Sequence, residues 1–390
     1  MRLNYGRIKM TKSLIDRAES GQVFSRGEAE AVMEELLAGR VETPDIVRLL
    51  TAMNARPVRV RELAGFASVM RRHAAPVFAE GELRPEHLVD TCGAGGKGFA
   101  TFNISTAAAI VAAAARARVA KHGNRASHSG SGSADVIEAL GVRIDLPVEH
   151  FGRAIRELGI GFFFARAAHA AARHAAPARK QIGVRTVFNL LGPLTNPAGA
   201  RAQVMGVPSP DLIDLIAETL AELGVDHAFV VHGAGGLDEI SLAGETLVAE
   251  VRGGGVRRFT VAPEEFGVSR APLNSVCGGS AQENAATIRE VFGGKYGPQR
   301  DIVVVNAAAA LVAANVAANF LEGARLAAES LDSGGSSRSA WGGAALNIGK
   351  GTRPSRPASK VVGGPPIREA RYARSTLRWP RGRGGACRPA

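Results

Sequence analysis

"DTCGAGGKGFATFNIST", Asp90 to Thr106, decides how the rest of the chain is read. It follows a short apolar run, "HLV", and precedes an alanine-rich stretch, so it reads as strand, glycine turn and helix start. Gly93, Gly95 and Gly96 carry no side chain, so their backbone N–H groups can approach a ligand closely. The helix is expected to begin near Asn103, a favourable N-cap residue, and its positive end suits an anion. The stretch is therefore a candidate phosphate cradle, and Gly93 to Gly98 satisfies G-x-G-x-x-G. The dinucleotide reading fails nonetheless. An acid is expected about 20 residues further on, where this chain has the basic "RARVAKHGNR". A P-loop fails as well, because Lys97 is followed by Gly98 and not by Ser or Thr.

Two later stretches sharpen the cradle. In "VAKHGNRASHSGSGSAD", Lys121, His122, Asn124 and Arg125 leave a strand, and Ser127, Ser129, Ser131 and Ser133 follow. Clustered cations and hydroxyls suit a ligand with several phosphate oxygens; a solvated basic loop is the competing reading. In "HGAGGLDEIS", the adjacent carboxylates of Asp238 and Glu239 follow an apolar strand and a glycine turn. Beside phosphates such a pair typically holds Mg²⁺, whereas alone it is a solvated turn.

Around these motifs the chain divides by pattern. Residues 11–75 read as helical, with "GEAEAVMEELLAG" and "DIVRLLTAMNA" spaced for helix faces. From about residue 85, short apolar runs ("HLVDTCG", "ARVAKHG", "IGFFFA", "HAFVVHG") alternate with helix-length segments, which predicts an α/β domain. The 390 residues carry a net charge of +12, but the basicity is local. From Gly335 onward there are 12 Lys and Arg against one acid, Glu369, which leaves 36 basic and 35 acidic groups before it. A near-neutral body gives no general nucleic-acid signal. Three scattered cysteines fit a reducing cytoplasm, not a disulfide framework. No secretory signal or membrane-spanning run is expected.

Taken together, "FNIST", "AKHGNR", "SGSAD", "RKQIGVRTVFNLLGPLTNP", "HGAGGLDEIS" and "NAAAAL" resemble the anthranilate phosphoribosyltransferase family, from about Leu14 to Gly334. The resemblance implies an α/β fold of the nucleoside phosphorylase/phosphoribosyltransferase type. A small all-helical N-terminal domain (1–78, joined by a helical segment near 168–190) precedes a larger α/β domain (79–334) with a central mixed, mostly parallel sheet. The active site is expected in the cleft between them. The implied reaction transfers the phosphoribosyl group of 5-phosphoribosyl 1-pyrophosphate to the amine of anthranilate, in a cytoplasmic homodimer.

By the same resemblance, the phosphoribosyl donor is held by Gly93, Gly95, Gly96, Lys97, Thr101, Asn103, Ile104, Ser105, Thr106, Lys121, His122, Gly123, Asn124, Arg125, Ser129 and Ser133. Anthranilate is expected at Gly93, Asn124, His169, Arg179 and Pro193. Two Mg²⁺ ions per subunit are expected on Ser105, Asp238 and Glu239, with Lys121, Asp238 and Glu239 stabilising the transition state. His122 is expected to shape its loop and not to act as a base.

Two features depart from the family pattern. Lys97 stands where the family loop usually has an aspartate, a change of two charge units beside a pyrophosphate. Residues 335–390 form a low-complexity basic tail, read as disordered or as an out-of-frame translation. Nucleic acid is a partner only if that tail is a natural one. The alternatives are a pyrimidine nucleoside phosphorylase and a non-catalytic, nucleic-acid-binding relative.

Overall fold

Helix formation at the N-terminus follows from local signals. A computed structural model describes residues 2–79, 81–95, 99–125 and 130–335; Gly96, Lys97, Ser127, Ser129 and the tail from 336 lie outside the described residues. The first four helices are α1 (Arg2–Glu19), α2 (Arg26–Leu37), α3 (Thr43–Asn54) and α4 (Val60–Arg72). Ser25 starts α2 with a capping box: its hydroxyl accepts from the Glu28 N–H, and Glu28 accepts from the Ser25 N–H. α3 begins with a proline in its first turn, where no N–H is missed. Each of α2 to α4 buries an apolar face, with Leu36, Leu49, Leu50 and Phe66 at most 2% exposed.

The larger part alternates strands and helices, as the apolar runs predict. In chain order come β1 (Leu88–Gly93), α5 (Ile104–Ala114), β2 (Arg118–Gly123), α6 (Ser133–Ala139), α7 (Val148–Leu158) and β3 (Ile160–Phe164). The short helices α8 (Ala165–Ala168), α9 (Ala176–Ile182) and α10 (Phe188–Leu191) lead to β4 (Ala202–Gly206), α11 (Leu212–Glu222) and β5 (His227–Gly233). The hairpin of β6 (Thr246–Arg252) and β7 (Gly255–Val261) follows, and α12 (Ala281–Phe292), α13 (Pro298–Ala313) and α14 (Phe320–Asp332) close the described chain.

The strands form a sheet ordered β3-β2-β1-β4-β5-β6-β7. The first five run parallel, and β6 and β7 are antiparallel, so the sheet is mixed and mostly parallel, as expected. Alternate residues of each strand face opposite layers. Val204, Phe229 and Val248 join the core built with α5 and α13, whereas Met205, Val230 and Ala249 join α11 and the helices α1–α4. The N-terminal helices thus share one apolar core with a face of the sheet. Helix α13 is buried on all sides, which its run "NAAAALVA" permits.

Polar contacts fix the two parts against each other. The guanidinium of Arg71, at the end of α4, donates to the carbonyls of Leu194 (2.8 Å) and Leu223 (3.3 Å). Burial lowers its pKa to about 10. Arg26 pairs with Glu222 at 3.2 Å. Helix α9 packs on α3, and Ala175 and Ala178 belong to the core of α1–α4.

Candidate active site at the carboxyl ends of the parallel strands

Parallel α/β sheets place ligands beyond the carboxyl ends of their strands, and here the β1, β2 and β5 ends carry the three glycine-bearing stretches. β1 and β2 are neighbours, as the two-loop reading requires. Three glycines on adjacent strands make room for the acidic pair. A β-carbon on Gly93 would lie 2.5 Å from Asp238 Oδ2, and one on Gly206 only 1.5 Å from the Asp238 carbonyl oxygen. One on Gly233 would lie 2.3 Å from the Glu239 carbonyl oxygen. Gly93 therefore serves a neighbouring carboxylate as well as a loop. The turn before Asp238 uses Gly235 and Gly236 at φ +83° and +79°, in the left-handed region.

Lys121 sits at the centre. It is 1% exposed, and its Nζ donates to the Thr91 carbonyl oxygen at 2.5 Å, with the hydroxyls of Thr91 and Ser105 at 3.5 and 3.4 Å. Burial lowers its pKa, and the charges of Asp90, Cys92 and Glu239 oppose that shift. Glu239 accepts from the Ser105 N–H at 3.0 Å and from the Thr101 hydroxyl at 3.4 Å. Burial, then the adjacent Asp238 carboxylate, push its carboxyl up to about 8. Ser105, Thr101, Lys121, Asp238 and Glu239 thus converge from three separate stretches. Thr106 and Ile104 are fully buried behind them.

Asn103 heads α5 as expected but does not cap it with its side chain. Its backbone is left-handed (φ 64°), a conformation that asparagine tolerates better than most residues. Its Nδ2 donates to the Ser131 carbonyl (2.8 Å), and its Oδ1 accepts from Asn284 Nδ2 (2.9 Å). Asn284, on α12, in turn accepts from the Gly279 N–H at 2.7 Å. Asn103 therefore bridges the first loop to the second. Sequence reading missed Asn284, because its role exists only after residues 181 positions apart have met.

The remaining second-loop residues divide. Gly123 is tight: a β-carbon there would lie 2.9 Å from the Ser133 β-carbon and from the Phe162 ring. Asn124 is exposed. The guanidinium of Arg125 is taken by Asp135 (3.0 Å) and Glu138 (2.9 Å), so a phosphate contact from Arg125 would have to break these bonds. His122 is buried, its Nε2 has no hydrogen-bond partner among the described residues, and its pKa falls to about 3, first through burial and then through the nearby His169. It holds a proton too weakly to act as a base near neutral pH. Its ring meets that of His169 edge-on at 5.3 Å, and His169 Nε2 lies 3.2 Å from the Thr195 hydroxyl. Burial lowers the His169 pKa to about 4.

Arg179, on α9, lies 5.3 Å above the Phe188 ring and has no acidic partner among the described residues. Burial lowers its pKa. Pro193 is buried, and its carbonyl accepts from Gln203 Nε2 at 2.7 Å. Sequence reading also missed Asp90, whose Oδ1 accepts from the His122 N–H at 3.2 Å. It missed Arg185 too, which donates to the carbonyls of Ala94 and Gly95 (3.2 Å to Gly95). Asp90 opens the glycine stretch and Arg185 lies inside a matched motif, but neither has a spacing that announces its partner.

The acidic pair fits a divalent cation by its chemistry. Two adjacent carboxylates, one with its pKa raised by burial and then by the other, are the arrangement that a hard cation relieves. No cluster of three or more His, Cys, Asp or Glu side chains stands ready among the described residues. The protein would therefore supply few ligands and the substrate phosphates the rest, as Mg²⁺ prefers.

Comparison with known proteins places these residues in a family. The model of the glycosyl transferase family helical bundle domain matches residues 12–74, and that of the glycosyl transferase family a/b domain matches 85–337. An anthranilate phosphoribosyltransferase from Pelotomaculum thermopropionicum is 51% identical over 325 residues, 83% of this chain and 93% of that protein. One from Rubrobacter xylanophilus is 50% identical, with 83% and 94% covered. The crystal structure of the Thermus thermophilus enzyme superposes with a TM-score of 0.79 at 46% identity, over 85% of this chain and 98% of that one. The Saccharomyces cerevisiae enzyme in complex with PRPP and Mg superposes with a TM-score of 0.76 at 27% identity, over 88% and 98%.

Proposed function

The chain belongs to the anthranilate phosphoribosyltransferase family, and from that premise we propose how its own residues carry the reaction. It transfers the phosphoribosyl group of 5-phosphoribosyl 1-pyrophosphate to the amine of anthranilate. The bond from ribose C1 to the amine nitrogen forms, the bond from C1 to pyrophosphate breaks, and the amine loses one proton. The convergence of Lys121, Ser105 and the Asp238–Glu239 pair at one rim of the sheet carries this reading.

The donor phosphates are assigned to the glycine stretch with Gly93, Gly95, Gly96 and Lys97, to the start of α5 from Thr101 to Thr106, and to the second loop from Lys121 to Ser133. Lys121 offers a fixed cation where charge develops on the leaving pyrophosphate, a preorganised arrangement that costs no reorganisation at the moment of reaction. Mg²⁺, held by Ser105, Asp238 and Glu239 at two ions per subunit, would neutralise the pyrophosphate charge. The yeast relative in complex with PRPP and Mg supports Mg²⁺ as the metal. Arg179 presents a fork that matches the anthranilate carboxylate, with Asn124, His169, Gly93 and Pro193 as its surroundings; the yeast relative in complex with 4-fluoroanthranilate supports an aromatic acid as the ligand. An aromatic amine is already nucleophilic, so positioning it over C1 supplies much of the rate, and no strong base is required.

We assign the protein to the cytoplasm as a homodimer. Among the described residues no helix is long and apolar enough to cross a membrane. The phosphorylase and nucleic-acid alternatives have no observation in their favour there. The test is loss of anthranilate fluorescence on mixing with the phosphoribosyl donor and Mg²⁺. Consumption that needs both supports the reading. Phosphorolysis of thymidine without anthranilate turnover overturns it.

A further inference from the structure

We propose that Arg185 is a positioning residue for the glycine stretch, tying its backbone to the N-terminal helices. The guanidinium of Arg185 donates from Nη2 to the Ala94 carbonyl and from Nη1 to the Gly95 carbonyl at 3.2 Å. Its own carbonyl accepts from Asn54 Nδ2 at 2.9 Å, at the last residue of α3. One residue therefore joins the helical part at one end and the glycine stretch at the other.

The two bonds have a definite effect on the loop. In a trans peptide the carbonyl and the following N–H point in opposite directions. Turning the Ala94 carbonyl onto the guanidinium turns the Gly95 N–H away from it, as a donor for an anion. The adjoining residue suits this as glycine: Gly95 has φ +85°, in the left-handed region that strains most side chains. The planar fork of arginine spans two successive carbonyls, which a lysine ammonium does not do in a fixed plane. No acid pairs with Arg185 among the described residues, so its charge also adds to the field that draws an anion to the loop.

This inference rests on the reading that the glycine stretch holds the phosphoribosyl donor. Arg185 acts through the loop, so its loss is expected in donor affinity and not in anthranilate affinity. The experiment compares wild type, Arg185→Ala, Arg185→Lys and Asn54→Ala by steady-state kinetics, varying each substrate at saturating Mg²⁺. Wild-type turnover tests the functional reading by itself. Given turnover, Arg185→Ala raises the donor KM on the order of tenfold, the loss of charged hydrogen bonds, and leaves the anthranilate KM within about twofold. Arg185→Lys keeps the charge without the fork and falls between. Asn54→Ala, which loses only the tether, raises the donor KM about threefold. A donor KM unchanged in Arg185→Ala, or equal rises for both substrates, overturns the proposal. If the alanine variant does not fold, as judged by its thermal melt, an unchanged donor KM in both Arg185→Lys and Asn54→Ala overturns it.

Discussion

Lys121 Nζ, at the end of β2, donates to the carbonyl oxygen of Thr91, on β1, at 2.5 Å. The bond holds a buried cation over the gap between two parallel strands, with Ser105 Oγ 3.4 Å away. Replacing it with methionine keeps most of the volume and removes the charge. Removing one such preorganised group costs about 10²-fold or more in rate. Lys121→Met is therefore expected to lower turnover by that order while the melting temperature stays close to wild type, because the desolvation cost of a buried cation is removed together with its hydrogen bonds. Kinetics and a thermal melt on the same sample check it; turnover within threefold of wild type would discard the role.

Glu239 gives a pH dependence with a fixed sign. Its folded pKa stands at about 8, above the ordinary 4.5, through burial and Asp238. Between these values the native state binds more protons than the unfolded chain, so this group's contribution to stability is present at low pH and is lost as pH rises through about 8. Metal-free protein should lose melting temperature from pH 5 to pH 8, and Glu239→Gln should flatten that decline. Mg²⁺, which needs the carboxylate, should release protons on binding near pH 7, read by calorimetry in two buffers of different ionisation enthalpy. Equal slopes for both proteins would show that Glu239 is not the group responsible.

Gly206 is a packing prediction. Its β-carbon would fall 1.5 Å from the Asp238 carbonyl oxygen, a backbone atom that cannot step aside. Gly206→Ala must either displace the acidic connection or loosen β4. Activity should fall by more than tenfold, with a destabilisation of about 2 kcal/mol or more, measured by denaturant titration. A variant with wild-type activity and stability would mean that the glycines do not set the position of Asp238.

Arg179 separates the two substrates. Its guanidinium lies over Phe188 with no acidic partner among the described residues, so a carboxylate ligand would gain a charged partner at little cost in competing bonds. Arg179→Ala should raise the anthranilate KM by ten- to a hundredfold, the cost of a charged hydrogen-bond pair, and change the donor KM little. Initial-rate kinetics in both substrates decide this, and equal effects would count against the assigned pose.

Much of this architecture was legible in the residues. β1, β2, β3 and β5 are short, mostly buried runs with an apolar start or centre, most of them ending in glycine, and such runs announce themselves locally. The sheet is mixed because β6 and β7 form a hairpin, and its "RGGGV" turn was a missed signal. β4, "AQVMG", is as short as β3 but carries Gln203 and none of its aromatic residues, so it does not stand out, although it lies between β1 and β5 and lines the acidic pair. The glycine stretch, Lys121 and Asp238–Glu239 were read from composition and spacing. Arg185, Asn284 and Asp90 were not, because each acts on backbone brought near by the fold. Arg125 shows the converse: its basic neighbourhood suggested phosphate, but Asp135 and Glu138 on the next helix claim it.

The strand order has a last consequence. Lys121 leaves β2 and the acidic pair follows β5, with β1 and β4 between them. Both reach inward, however: Lys121 Nζ lies over Thr91 and Ser105, and Glu239 accepts from the Ser105 N–H. Opposite charges carried in from two strands thus meet over the two strands between them, so neither flank alone makes the site, and a ligand must lie across the middle of the sheet to meet both.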